Sequence, residues 1–163
     1  MAEKRTLNID YTIYDWEELS ESITHLMEGA RKALDSAYAP YSGFHVGSAV
    51  RLSDGVIVSG NNQENAAYPS GLCAERVALF AAKSAHPSTS IDALAIAAKP
   101  KEGIDYVSAG SCGNCRQVMI EYEHKQQKPY DIYLMMPDQK VLKINSAADY
   151  LPFSFNAATL LNS

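Results

Sequence analysis

A run of mostly apolar residues, IDALAIAAKP (91–100), restricts the fold of this chain more than any other segment. Its central residues do not alternate between apolar and polar, as they would in a strand with one exposed face. A continuous apolar strand of this kind is buried on both faces, so other elements must cover it from two sides. The uninterrupted apolar stretch, 93–98, is far too short to cross a lipid bilayer.

Periodic and turn patterns place further elements before this strand. Apolar residues recur every three or four positions from Leu19 to Leu34, which predicts an amphipathic helix with Asp15 as its N-cap and an end at Pro40. The segment 44–63 then reads as two strands joined by a Ser-Asp-Gly turn, which predicts a β-hairpin.

The remaining elements complete the fold class. They are a helix from about Cys73 to just before Pro87, a helix from about Cys112, strands at 130–136 and 140–144 around the turn Pro137-Asp138, and a helical turn at Ala147–Tyr150. Strands and helices in this order predict an α/β fold, a three-layer α/β/α sandwich with a mixed five-stranded sheet.

Length and charge restrict the domain organisation and the ligand. The 163 residues contain no internal repeat or linker, so we expect one domain (1–163), with an N-terminal extension to about residue 14 and a C-terminal tail from about residue 152. The formal net charge of −5 argues against a nucleic-acid surface, which needs clustered Lys and Arg. The first 15 residues lack the apolar stretch of a secretory signal, so we expect a cytoplasmic protein with reduced thiols and no membrane partner.

Three cysteines are the most distinctive chemical feature. Cys112 and Cys115 form a C-x-x-C pair at a predicted helix start, where the helix dipole and free N–H groups stabilise thiolates. The pair alone fits either a thioredoxin-like redox site or half of a zinc site. Cys73 begins another predicted helix, and the four histidines show no ligand-like spacing to the cysteines. The simplest zinc site therefore has three cysteines and a water, the pattern of a catalytic zinc.

Two charged residues follow Cys73 in the first helical turn. Glu75 can stand beside a zinc-bound water and move its proton, although an isolated glutamate here would only complement the helix dipole. Three thiolates leave a zinc site with a net negative charge, which the Arg76 guanidinium can offset by donating to a sulfur. The alternative for Arg76 is a plain surface charge. Beside three thiols, we favour the functional interpretation of both residues.

These residues resemble the motifs of the small homotetrameric zinc-dependent cytidine deaminases. CAE (73–75) matches the cysteine version of the first half of the deaminase signature, and SCGNCRQV (111–118) resembles the second half. NNQENAAYPSGLCAER (61–76) is similar to the family block N-x-E-N-A-x-Y-P-x-x-x-C-A-E-R. The resemblance extends from about residue 38 to residue 155. It implies one zinc ion per subunit on the three cysteines, Glu75 as the catalytic acid and base, and a homotetramer.

The resemblance also implies a set of substrate-binding residues: Phe44, Asn62, Glu64, Tyr68 and Ala74. In the family the residues matching Asn62 and Glu64 bind the ribose hydroxyls, and the aromatic matching Phe44 packs against the pyrimidine. The Ala74 N–H would bind the 2-carbonyl of the base, and Tyr68 matches a residue near the pocket and the subunit interface. From the residues alone, GNNQEN (60–65) is instead a polar turn after a strand, Phe44 a core residue, and Tyr68 a core or interface residue.

Two features of the C-terminal half complete the comparison. Phe155 matches the family phenylalanine that reaches the active site of a neighbouring subunit; the alternative is a tail packed on its own core. Ser111 stands where the family usually has proline, and the preceding carbonyl, which accepts from the substrate amino group in the family, falls on Gly110. Proline stiffens a loop and serine does not, so the Gly110-Ser111 pair is more flexible than the family's pattern.

The implied activity is hydrolytic deamination of cytidine and 2′-deoxycytidine to the uridines and ammonia, a reaction of pyrimidine salvage. An aminonucleoside-antibiotic deaminase that resembles blasticidin-S deaminase is one alternative, but such enzymes lack the NQEN motif. A polynucleotide-editing deaminase is disfavoured by the negative charge. A structural zinc or redox module is the non-enzymatic alternative, and it predicts four protein ligands or a reversible disulfide between Cys112 and Cys115.

Overall fold

Six strands form one mixed sheet in the computed structural model, which describes residues 2–157. The strands are β1 (Tyr11–Asp15), β2 (Phe44–Leu52), β3 (Ile57–Asn61), β4 (Ile91–Pro100), β5 (Asp131–Met135) and β6 (Lys140–Ile144). Their order across the sheet is β1-β6-β5-β4-β2-β3. β4 and β5 are parallel, and the other neighbouring strands are antiparallel. β4 lies inside the sheet, between β5 and β2, and both of its faces are buried.

Helices cover the two faces of this sheet. Those of the described residues are α1 (Glu21–Leu34), α2 (Ala74–Ala85), α3 (Gly113–Gln126) and the short α4 (Ala147–Tyr150). The apolar side of α1 packs on one face, and α2, α3 and α4 pack on the other. The α/β fold with a mixed sheet between helical layers is confirmed.

The two cores share β4, which explains its unbroken apolar sequence. Ala93, Ala95 and Ala97 pack with α1, whereas Leu94 and Ile96 pack with α2 and α3. All five are at most 2% exposed. The small side chains of β4 face α1, and the large ones fill the core beneath α2 and α3. The expectation of a strand buried on both faces is confirmed.

Two glycines allow helices to lie close to the sheet. At Gly47 in β2, a Cβ atom would collide with the backbone of Ala30 and Leu34 in α1. At Gly60 in β3, a Cβ atom would lie 2.6 Å from the backbone nitrogen of Ala78 in α2. Glycine leaves room for these separations because it has no Cβ. The contact at Gly60 fixes α2 against β3 and so sets the position of its N-terminus.

The predicted hairpin, the helices near Cys73 and Cys112, the two C-terminal strands and the turn at Ala147–Tyr150 are confirmed. The prediction of five strands was wrong, because β1 pairs with β6 as a sixth strand. β1 is an edge strand with four of its five residues exposed, so it lacks the apolar run that marks a buried strand. Residues 11–14, which were expected to belong to an N-terminal extension, are therefore part of the sheet.

The predicted start and end of the first helix were also wrong, and α1 ends at Leu34 rather than at Pro40. Asp15 ends β1 and precedes a 3-10 turn (Trp16–Glu18), where its N–H donates to the Glu18 carboxylate at 2.9 Å. The chain is extended at Leu19 and Ser20, and Ser20 is the N-cap of α1. Leu19 has helical spacing to Ile23, so the apolar pattern continues across a break in the backbone.

The ends of the described chain carry little regular structure outside β1 and α4. Residues 2–10 precede the sheet and are exposed. The predicted C-terminal tail is described as far as residue 157, and residues 158–163 lie outside the described residues. Within 2–157, the helices are too short or too polar to cross a membrane.

Arg31 in α1 joins the segment after β1 to the loop after β4. Its guanidinium lies 4.8 Å from the ring centroid of Trp16 and 5.0 Å from that of Tyr106, and its Nε donates to the Tyr106 hydroxyl at 2.7 Å. Arg31→Ala is expected to lower the free energy of unfolding by about 1–3 kcal/mol, because it removes two cation–π contacts and a hydrogen bond. Urea denaturation measures this change. Lys32→Ala, at an exposed position of α1, is the control, and an equal loss in that variant would contradict the assignment.

Candidate active site

A cavity of about 690 Å³ opens beside the N-terminus of α2, the first residues of β2 and the loop before α3. Most of the sequence-predicted site residues line it: Phe44, Asn62, Glu64, Tyr68, Cys73, Glu75, Arg76, Gly110 and Cys112. Ala74 and Cys115 are fully buried in the first turns of α2 and α3. Segments between residues 41 and 112 therefore share one site.

The three cysteine sulfurs form a cluster at one end of this cavity. Cys73 is the N-cap of α2 and Cys112 the N-cap of α3, so the two helix N-termini point at the same place. The Sγ atoms of Cys73 and Cys112 are 3.9 Å apart, and those of Cys112 and Cys115 are 3.5 Å apart. A tetrahedral zinc ion with Zn–S bonds of about 2.3 Å separates its sulfur ligands by about 3.8 Å. The donor set therefore fits a zinc ion with three thiolate ligands.

The surroundings of the cluster favour a thiolate at Cys73. The neighbouring Cys115 thiol, the Arg76 guanidinium and the Cys112 thiol hydrogen-bond to Cys73 and lower its pKa to about 5, although burial acts in the opposite direction. The hydrogen bond to Cys73 and burial raise the pKa of Cys115. Arg76 Nη2 lies 3.9 Å from the Cys73 sulfur, so its charge compensates the thiolate.

Glu75 is a buried carboxyl group beside the sulfur cluster. It is 4% exposed and lines the cavity from the first turn of α2. Burial raises the pKa of Glu75, and its own backbone N–H and the nearby Ser111 hydroxyl offset part of that rise. A carboxyl group with a raised pKa that is held next to a metal site can act as both general base and general acid.

Glu64 forms a different kind of site on another wall of the cavity. Its carboxylate accepts hydrogen bonds from the Ser42 hydroxyl, from the Tyr41 N–H at 2.9 Å and from the Ser42 N–H at 3.2 Å. The bonds from Ser42 and Tyr41 hold the pKa of Glu64 below its ordinary value. Glu64 is therefore an ionised acceptor that faces the cavity.

Asn62 fixes the start of β2. Its Oδ1 accepts from the Val46 N–H at 2.8 Å, and its Nδ2 donates to the Phe44 carbonyl at 2.9 Å. An amide side chain has two donors and two lone pairs, so one donor and one acceptor remain for a ligand. Asn62 therefore holds Phe44 at the cavity wall in addition to facing the cavity itself.

Sequence reasoning missed Tyr41 and Ser42, which line the cavity and bind Glu64. Their signal in the sequence is weak, because a short YS before a glycine is also an ordinary turn. Gly43 has a φ of +63°, the left-handed conformation that glycine adopts without strain, and this turn brings both residues back towards Glu64.

Phe155 does not line the cavity of its own subunit. Its side chain is 54% exposed, and its carbonyl accepts from Gln117 Nε2 at 2.7 Å. Phe153 nearby is 94% exposed. Leu151, at the start of this segment, packs against the core, so the role of Phe155 stays a prediction.

Comparison with known proteins agrees with this geometry. Residues 20–128 match the family described as the cytidine and deoxycytidylate deaminase zinc-binding region. A cytidine deaminase of Halalkalibacterium halodurans is 37% identical over 132 residues, which are 81% of this chain and 92% of that protein. A cytidine deaminase of Sporosarcina psychrophila is 41% identical over 100 residues, 61% of this chain and 69% of that protein.

A solved structure gives the same result for the fold. The crystal structure of cytidine deaminase from Burkholderia pseudomallei superposes with a TM-score of 0.66 at 37% identity, and the match covers 80% of this chain and 97% of that chain. The matched family segment contains all three clustered cysteines and Glu75. On this evidence, the chain belongs to the cytidine and deoxycytidylate deaminase family of zinc-binding proteins.

Proposed function

We propose that this protein is a zinc-dependent cytidine deaminase that hydrolyses cytidine and 2′-deoxycytidine to uridine and 2′-deoxyuridine with release of ammonia. One observation carries the proposal: Cys73 and Cys112, a buried glutamate and an ionised glutamate line a single cavity of about 690 Å³, and the buried Cys115 completes the sulfur cluster beside it. The cysteines and the buried glutamate provide the groups needed for hydrolysis, and the ionised glutamate suits a ligand with several hydroxyl groups. The two cytidine deaminases named above, which are similar in sequence to this chain, support the choice of substrate.

Cys73, Cys112 and Cys115 would hold the zinc ion. Zinc supplies Lewis-acid activation of a water molecule, whose pKa falls to roughly 7. Arg76 offsets the negative charge of the thiolates from 3.9 Å, which keeps the site an effective acid. The two helix N-termini at Cys73 and Cys112 add their partial positive charge.

Glu75 moves the protons of the reaction. It accepts a proton from the attacking water and delivers it to N3 of the pyrimidine, while the water oxygen forms a bond to C4. It then helps the second proton reach the exocyclic amino group, the C4–N bond breaks, and ammonia leaves. Water and cytidine thus become uridine and ammonia. Glu75 can act first as the base and then as the acid because its carboxyl group is regenerated in each cycle.

The other cavity residues would recognise the nucleoside. Glu64 accepts a hydrogen bond from the ribose 3′-hydroxyl, and the free donor and acceptor of Asn62 bind the same sugar. Phe44 packs against the pyrimidine, with Tyr68 near the mouth of the cavity. The Ala74 N–H, at the start of α2, donates to the 2-carbonyl, and the Gly110 carbonyl accepts from the amino group.

We further propose a homotetramer in the cytoplasm. The exposed Phe153 and Phe155 support a contact with another subunit, in which Phe155 would reach a neighbouring cavity. Three free cysteines, two of them partly accessible, suit a reducing compartment.

The experiment that tests the activity compares three substrates. Purified zinc-loaded protein is expected to release ammonia from cytidine and 2′-deoxycytidine, and to leave a cytosine-containing oligonucleotide unchanged, since the net charge of −5 disfavours a polyanion. Turnover of the oligonucleotide in preference to the nucleosides would contradict the proposal.

Glu64→Gln tests the sugar-binding role. We expect KM for cytidine to rise about tenfold, because the variant loses a charged acceptor for a ribose hydroxyl. The inhibition constant of free cytosine, which has no ribose, is expected to stay unchanged. The control is Asp54→Asn, whose carboxylate accepts from the Val56 N–H at 3.1 Å in the β2–β3 turn. Equal weakening of cytosine and cytidine would show that Glu64 acts on the whole cavity instead.

A further inference from the structure

The peptide groups on both sides of Ser111, at the cavity wall, are each hydrogen-bonded to a residue of the C-terminal half. The Ser111 N–H donates to the Tyr150 hydroxyl at 2.7 Å, and the Ser111 carbonyl accepts from Arg116 Nε at 2.8 Å. A Cβ atom at Gly110 would lie 3.3 Å from the Tyr150 hydroxyl oxygen and 3.4 Å from Arg116 Nη2, so Gly110 packs against the same pair. Gly110 also lines the cavity.

Arg116 and Tyr150 hold each other in place. The Arg116 guanidinium lies 4.1 Å from the Tyr150 ring centroid, and its Nη1 donates to the Tyr150 carbonyl at 3.3 Å. Tyr150 is 9% exposed and is the last residue of α4, which the Glu123 carboxylate anchors to α3. α4 is therefore fixed in place, and it holds the Tyr150 hydroxyl against the loop that contains Gly110 and Ser111.

The hydrogen bond to Tyr150 depends on the residue at position 111 not being proline. Ser111 is buried, and proline, the usual residue at this position of the resembling family, has no N–H to donate. A buried N–H without a partner costs about 1–3 kcal/mol, so a serine here requires an acceptor. Tyr150 is that acceptor.

We infer that Tyr150 is a positioning residue for the active site: it fixes the Gly110-Ser111 peptide through the Ser111 N–H and so replaces the stiffness that a proline ring gives. The inference rests on the proposed function, in which the Gly110 carbonyl receives the amino group of the substrate. Loss of the hydroxyl frees the peptide and weakens this contact in the ground state and the transition state alike. Tyr150→Phe is therefore expected to raise KM for cytidine about tenfold, equivalent to ~1.4 kcal/mol, with kcat within about twofold of the parent value.

A double-mutant cycle tests whether Tyr150 changes KM through its hydrogen bond to the Ser111 N–H. Ser111→Pro removes the donor, so adding Tyr150→Phe in that background is expected to change KM by less than about twofold. Tyr130→Phe is the matched control, because the Tyr130 hydroxyl donates to the Met119 carbonyl at 2.9 Å in the core and Tyr130 does not line the cavity. It is expected to lower stability and leave KM unchanged. The same KM increase from Tyr150→Phe in both backgrounds would overturn the inference.

Amide hydrogen exchange gives a readout that needs neither turnover nor the proline variant. The Ser111 amide is expected to exchange slowly in the parent protein and at least ~10-fold faster in Tyr150→Phe, with no such change in Tyr130→Phe. Equal exchange in parent and Tyr150→Phe would overturn the inference. Absence of deamination by the parent protein would instead refute the proposed function, and the exchange comparison would still decide whether Tyr150 holds the peptide.

Discussion

Glu75→Gln is expected to lower kcat for cytidine by at least ~10²-fold while the protein keeps its fold and its zinc. Glutamine preserves the shape of the side chain and one acceptor oxygen, but it cannot take up and return a proton. Glu75 is 4% exposed and lies in the same wall of the cavity as Cys73, so the proposed proton transfers depend on it. Steady-state kinetics and the zinc content per subunit measure the two parts of this prediction.

Glu123 provides the matched control for a buried carboxyl group. It is 7% exposed and accepts from the N–H groups of Ala147 at 2.7 Å and Ala148 at 3.2 Å, where it caps α4. Glu123→Gln is expected to reduce stability by about 1–3 kcal/mol and to leave kcat within about twofold of the parent value. Similar losses of kcat in both variants would mean that Glu75 acts on the fold rather than on the proton transfers.

Cys115→Ser is expected to remove zinc and, with it, the activity. Cys115 is fully buried behind the cavity, so no other group can readily take its place as a ligand. The parent protein is stabilised by zinc by about 4 kcal/mol when the free metal is ~1,000 times its Kd, and the variant loses that part of its stability. Thermal unfolding with and without a zinc chelator is the measurement: the chelator should lower the Tm of the parent protein and leave the variant unchanged.

A buried hydroxyl can destabilise a core by itself, and Ala147→Ser controls for this effect. Ala147 is fully buried in the same core as Cys115. This variant is expected to lose stability yet to bind zinc and to respond to the chelator as the parent does. A chelator response in Cys115→Ser equal to that of the parent would remove Cys115 from the proposed ligand set.

The parts of the fold that were predictable are those with a repeated local signal. β4 is apolar from Ala93 to Ala98 because α1 covers one face and α2 and α3 cover the other, and this pattern is visible in the sequence. β1 gives no such signal because an exposed edge strand needs few apolar residues. The start of α1 was misplaced because side-chain periodicity continues through Leu19 while the backbone hydrogen bonds do not.

In the active site, too, some residues were predictable from the sequence and others were not. Cys73 and Cys112 are recognisable because each starts a helix and zinc chemistry demands sulfur at fixed spacing. The partners of Glu64 in the turn before β2, and of Ser111 at Tyr150, come from distant segments and carry no motif. Such contacts follow from the packing of α4 and the turn at Gly43, which only the folded chain reveals.

Zinc-dependent turnover of cytidine is the central claim, and one titration tests it most directly. Protein dialysed against a chelator is given increasing zinc, and ammonia release from cytidine is measured at each step together with bound metal. We expect negligible release without zinc and full activity at one zinc ion per subunit. A folded protein with one bound zinc ion per subunit that releases no ammonia from cytidine or 2′-deoxycytidine would contradict it.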